Sequence, residues 1–246
     1  MNRRLKLALV GAVLIAVVVA LLWYRDASSP GSLTLEFRAR SNGSALVLNQ
    51  FVYDNPGGPG RVKVRDFQFF VSNVRLGGAE GQYVEPDSYH LLRFDNAARA
   101  FTIQLTGVPR LDYDYLEFLV GVDADANASI RAVGDLDPNG RMAWNWEVGY
   151  KFVLFEGGLL VDDVQIPLVY HVGFDDSARR VRFDLQTLFP NASDEHRVFD
   201  VDVMRLFDGD TTIDMQALSN VKFDRDDARR IATNFGRLIE YVPTPG

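Results

Sequence analysis

Apolar and polar residues alternate along most of the chain. Leu33, Leu35 and Phe37 are apolar while Thr34, Glu36 and Arg38 are polar, a period of two that reads as a half-buried strand. Similar runs recur at Ala45–Phe51, Val62–Leu76, Phe101–Gln104, Leu116–Val122, Tyr150–Phe155, Val164–Val172, Val181–Leu185 and Val198–Phe207. Between them lie turn-rich stretches such as NPGGPG (Asn55–Gly60), GGAEGQ (Gly77–Gln82) and DPNG (Asp137–Gly140). Many short strands predict an all-β fold, an antiparallel, immunoglobulin-like β-sandwich. Asp224–Tyr241 breaks the pattern. Ala228, Ile231, Ala232, Phe235, Leu238 and Ile239 recur every three or four residues, which predicts one amphipathic helix near the C-terminus. No internal repeat or boundary divides residues 33–246, which read as one domain.

The N-terminus follows a different rule. Leu7–Tyr24 is an 18-residue run without a charge, flanked by Arg3, Arg4 and Lys6. As a helix it spans about 27 Å, near the thickness of a bilayer's hydrocarbon core. The basic flank places the N-terminus on the cytoplasmic side, with Trp23 and Tyr24 at the far interface. Residues 1–25 are therefore expected to be an uncleaved transmembrane helix and residues 26–32 a linker. A cleaved signal peptide is the alternative, disfavoured because the small pair Val18 and Ala20 lies inside the apolar run. Either reading exports the remainder.

Of 246 residues, 26 are Lys or Arg and 33 Asp or Glu, a net charge of −7; beyond Arg25 it is −11. That balance argues against a nucleic-acid partner held through phosphates. With no Cys, disulfides, iron–sulfur clusters and thiol nucleophiles are excluded. His90, His171 and His196 are the three histidines; the last sits in the polar NASDEHR stretch and reads as a surface-loop residue. No G-x-S-x-G, H-E-x-x-H or Walker motif is present, and the expectation is a protein that is not an enzyme. Asp135, Asp137, Asn139 and Gly140 match the first half of a calcium loop, but its twelfth place is Trp146. Calcium is thus the lesser candidate, and a plain turn explains the same residues. Trp144 and Trp146 share a face if their segment is a strand, and core packing is the ordinary role of such indoles.

Several segments carry a more specific signal: FQFFVSNVRL (Phe67–Leu76), YHLLRFDN (Tyr89–Asn96), GVDADAN (Gly121–Asn127), the block Gly134–Gly158 that opens GDLDPNGRMAWNW, and YHVGF (Tyr170–Phe174). Together they resemble the MbnP-like copper-binding proteins, exported bacterial β proteins often encoded beside the di-haem peroxidase-type enzyme MbnH. The resemblance runs from Leu33 onward. It implies copper held by histidine imidazoles, with His90 and His171 as the metal ligands and Met142 as a weak one. It also implies a kynurenine made from Trp144 or Trp146 by a di-haem, MbnH-like partner. Imidazole suits copper, which heads the divalent affinity order. The implied location is the bacterial inner membrane, single-pass with the domain in the periplasm, or the soluble periplasm after signal cleavage. A cell-surface β-sandwich interaction module without metal is the rival expectation, and a copper- or calcium-assisted hydrolase a more distant one.

Overall fold

Residues 31–41 form the first strand because every second residue from Leu33 to Ala39 is apolar and every second one along the strand is buried. The computed structural model describes residues 29–129, 133–145, 149–185 and 194–243. Its strands are β1 (Gly31–Ser41), β2 (Ser44–Ala45), β3 (Phe51–Asp54), β4 (Arg61–Gly78), β5 (Gly81–Val84), β6 (Tyr89–Arg93), β7 (Ala100–Val108), β8 (Tyr115–Val120), β9 (Ala143–Asn145), β10 (Gly149–Val161), β11 (Val164–Gly173), β12 (Arg179–Asp184), β13 (Asp194–Asp202), β14 (Asn220–Val221) and β15 (Ile239–Val242). A one-turn helix α1 (Ala124–Asn127) and the longer α2 (Arg225–Ala232) complete the set of α-helices among the described residues.

The strands form two sheets. The first has β1 at its centre, with β13 along one edge and β7 and β2 sharing the other; β15 extends it beyond β13. The second runs β12-β8-β4-β10-β11-β14, with β3, β5 and β6 also paired to β4. The fold is mostly β, as the alternation predicts. The sheets are mixed rather than antiparallel, because β1–β13 and β11–β14 pair in parallel. That corrects the antiparallel expectation, and nothing in the strand order assigns an immunoglobulin topology. Leu33, Leu35, Phe37 and Phe199 of the first sheet meet Phe69, Val71, Phe155 and Tyr170 of the second in the main core.

β4 organises the second sheet. At 18 residues it is about 60 Å long, so β10 and then β8 can share one edge. Its main-core positions run Val62, Val64, then Phe67, Phe69, Val71, then Val74, Leu76, an alternation that changes phase twice. Each change is a bulge. At the first, Glu156 faces Asp66 while Gly157 faces Val64, leaving Arg65 as the extra residue. At the second, Asn73 takes a left-handed backbone (φ 55) and its side chain reaches Asp123, the cap of α1.

A second apolar cluster lies on the other face of this sheet: Phe70, Leu91, Val122, Leu136, Met142, Tyr150, Phe152 and Leu154. The segment 133–145 covers that face, which is why Gly149–Phe155 is buried at every residue. Asp135 fastens the covering segment to β6 by accepting from Leu91 N (2.8 Å). Asn127 fastens the start of β10, accepting from Tyr150 N (2.8 Å) and donating to Asp175 (2.7 Å).

Three predicted elements differ from their expected form, the first being Val198–Phe207, whose strand ends at Asp202 where the chain turns into a 3₁₀ helix over Val203–Leu206. Ala45–Phe51 is not one strand: Asn49 is left-handed (φ 63), which ends the extended run between β2 and β3. The helix expected over Asp224–Tyr241 stops at Ala232, becomes a tighter 3₁₀ turn over Thr233–Arg237, and ends as β15. The cause is Asn234, fully buried, whose amide donates to Leu206 O and Thr211 O and accepts from Thr211 N. Among the described residues no helix is long and apolar enough to cross a membrane. The expected anchor, residues 1–25, lies outside the described residues.

Candidate metal centre

The bulge in β4 turns both Arg65 and Asp66 away from the main core, onto the face that the 133–145 segment partly covers. Glu156 of β10 and His171 of β11 emerge on this same face. His171 sits between Tyr170 and Val172, both in the main core, so alternation sends its side chain the other way. The four meet with Arg141 in one network. His171 Nε2 lies 3.0 Å from Glu156 Oε1, while Arg65 (2.6 Å) and Arg141 (2.8 Å) reach Glu156 Oε2. Arg141 also pairs with Asp66, which accepts from Gln68 (3.0 Å).

The charges set the protonation of the imidazole. Burial pushes the Glu156 carboxyl up, but hydrogen bonds from Arg65, His171 and Arg141 outweigh it and hold the group at about 2. Burial pushes the His171 imidazole below its usual value; the bond to Glu156 opposes this, and Lys151 and Lys222 add to the depression. At neutral pH the pair is therefore a carboxylate beside a neutral imidazole. A carboxylate only accepts, so Nε2 carries the proton and Nδ1 keeps the lone pair. That is the arrangement found behind metal-bound histidines, where a carboxylate fixes the tautomer from the far nitrogen.

Trp144 belongs to this face as well. Its indole rests on Gly173, where an added Cβ would lie 2.7 Å from Trp144 Cζ3 and 2.5 Å from Tyr150 O. Gly173 is two residues from His171 on the same side of β11. Phe174 and Phe223 flank the indole at ring distances of 5.2 and 5.3 Å. Trp146 lies outside the described residues. Met142 is 3% exposed inside the second apolar cluster.

The structure does not bring His90 and His171 together. His90 is on β6, across β4 and β10 from His171 on β11, a lateral separation of about 14 Å for three strand spacings. They also point to opposite faces, because Leu92, two residues from His90, is in the main core. His90 Nε2 has its own carboxylate, Glu85, at 2.8 Å, shared with Ser88 Oγ. His196 is on strand β13 of the other sheet rather than in a loop, about half exposed and 3.0 Å from Glu36. In the calcium-like stretch, Asp135 is spent on Leu91 N and Asp137 caps its own turn through Asn139 N (2.8 Å). Among the described residues no group of three or more His, Asp or Glu is placed to hold a metal. One imidazole with a fixed tautomer is a donor of the type that suits copper.

Sequence reasoning assigned no site role to Glu156, Arg65, Arg141, Lys151 or Gly173, though all but Arg65 fall within the family-like segments Gly134–Gly158 and Tyr170–Phe174. Lys151 carried a further signal. Lys151 is a lone charge inside the buried run GYKFVLF, and it is 8% exposed.

The sequence matches the MbnP family model over residues 30–224. Among solved structures, MbnP from Methylosinus trichosporium superimposes with a TM-score of 0.55 at 19% identity, covering 85% of this chain and 97% of that one. At that identity the likeness is one of fold. No curated protein matches the chain.

Proposed function

This chain belongs to the MbnP family, and from that membership we propose that it binds copper on the outer face of its larger sheet. His171 Nδ1 is the proposed anchoring donor. Trp144 is the proposed second one, once a di-haem peroxidase-type partner, with peroxide as the oxidant, has opened its indole to kynurenine and the C2 carbon has left as formate. The observation that carries this reading is the shared platform: Trp144 lies on Gly173, two residues from an imidazole whose other nitrogen is committed to Glu156.

The chemistry agrees with the residue types. An indole nitrogen gives its lone pair to the ring, whereas the aniline-type amine of kynurenine is free to coordinate; that amine and the His171 imidazole are nitrogen donors of the kind copper favours. Bound copper would supply a redox-active ion at the edge of an aromatic cluster. The protein itself performs no turnover on this reading; its residues hold, orient and shield. The domain is proposed to work after export, as the apolar run Leu7–Tyr24 and its basic flank suggest.

The test is copper analysis and competition titration of the full chain made with and without a di-haem partner, beside His171→Ala and His90→Ala. Wild type should carry about one copper, and His171→Ala should lose at least about tenfold in affinity, the loss of one nitrogen ligand. Peptide mass mapping should place two added oxygens and one lost carbonyl on Trp144. Stoichiometric copper of unchanged affinity in His171→Ala would move the site elsewhere, with His90 next in line.

A further inference from the structure

β9, which carries Trp144, is a poor strand. It has three residues and two register pairs with β10, Gly149↔Asn145 and Tyr150↔Ala143, with an irregularity between them. Pairing of that extent leaves a segment free to open. Something else must hold the indole on its glycine seat.

One residue takes three consecutive carbonyls of that segment. Lys151 N donates to Met142 O (2.7 Å), and Lys151 Nζ donates to Arg141 O (2.5 Å) and Ala143 O (3.3 Å). The ammonium is largely buried, a placement that is costly for a charge without such partners. Its neighbour in the segment, Arg141, is clamped in turn by Asp66 and Glu156, the same Glu156 that orients His171. The segment bearing the indole and the strand bearing the imidazole are thus tied to one lysine and one carboxylate.

Resting on the copper reading above, we infer that Lys151 is a positioning residue for the metal centre: its ammonium fixes the Arg141–Ala143 backbone so that Trp144 stays on Gly173 beside His171. Lys151 does not touch the metal. Its amine is spent on carbonyls, and its influence passes through the backbone of residues 141–143.

The experiment uses the full chain with Trp23 and Trp146 changed to Phe, so that Trp144 alone emits. In protein made without the partner, Lys151→Met should raise acrylamide quenching of Trp144 by about twofold as the segment opens. In protein made with the partner, and with all tryptophans native, it should weaken copper binding by at least about tenfold. Lys151→Arg, which restores a cation able to reach both carbonyls, should return both values most of the way to wild type. His171→Ala should weaken copper while leaving Trp144 quenching unchanged, which separates a ligand from a positioning residue. Wild-type quenching and affinity in Lys151→Met overturn the inference, as does a defect that Lys151→Arg does not relieve. Should Lys151→Met not fold, Lys151→Gln keeps N–H donors on a shorter neutral arm and carries the same comparison. If no form of the chain binds copper, the copper reading falls, and the quenching comparison still decides what Lys151 does.

Discussion

Replacing Glu156 by Gln isolates the charge at the centre of the His171 network. The isostere keeps the shape, but its single acceptor oxygen cannot serve Arg65, Arg141 and His171 together. A carboxyl held at about 2 in the folded protein, against 4.5 when free, is worth about 3 kcal/mol of pH-dependent stability. Arg65 and Arg141 are 59% and 51% exposed, so solvent screens part of that and about 2 kcal/mol remains. Because the folded value is the lower one, the contribution is complete above pH 4.5 and fades as the pH falls toward 2. Urea unfolding of wild type and Glu156→Gln at intervals from pH 7 to pH 2.5 measures it. The gap should be about 2 kcal/mol at neutral pH and close on acidification, since a protonated Glu and a Gln are nearly equivalent. Parallel curves, with a constant gap at every pH, would refute the assigned role of the charge.

Other outcomes follow from the same contacts. Gly173→Ala should cost about 1–3 kcal/mol, because the added carbon meets the backbone oxygen of Tyr150 as well as the indole; thermal unfolding and Trp144 emission read it, and an unchanged melting temperature would remove the seat. Asn127→Ala should cost about 1–3 kcal/mol by leaving the buried Tyr150 N–H without its acceptor, visible as faster amide exchange at the start of β10. Asn234→Ala should cost at least about 2 kcal/mol, since three backbone groups lose their partner; a calorimetric loss below half that value would mean water replaces the amide. The His171 imidazole should titrate below 6.5 by NMR, so its share of stability is complete above that pH and falls as the solution is acidified below it.

Strand content was legible because alternation is a local property. β1 is apolar at every second residue from Leu33 to Ala39, and those residues lie in the main core with Phe199 and Phe69. The two phase changes in β4 are also written in its residues, yet they become bulges only against the register of β10 and β8, which no single strand encodes. The C-terminal helix was overextended because helical spacing continues through Leu238 and Ile239, while Asn234 ends the helix through bonds to residues more than twenty positions away. At the site, the parity of His171 relative to Tyr170 and Val172 fixes its face, but the meeting of Arg65, Arg141, Glu156 and His171 depends on four separate segments. Trp144 was singled out without its seat, since the contact with Gly173 spans a long stretch of chain.

The parallel pairing of β1 with β13 has a kinetic meaning. Leu33 finds its register opposite Glu195, and Arg40 opposite Asp202, so the central strand of the smaller sheet waits for one made far later in synthesis. The β10–β11 hairpin can close at once, its turn linking Val161 to Val164, and β4 can dock on it early. β1 by contrast must search across a loop of more than 150 residues, and closure at such separations is slow. Until β13 arrives, one whole edge of β1 stands open, an invitation to pair with another chain. Misassembly during maturation should concentrate there, and a chain stalled before Asp194 should be far stickier than one lacking only β15.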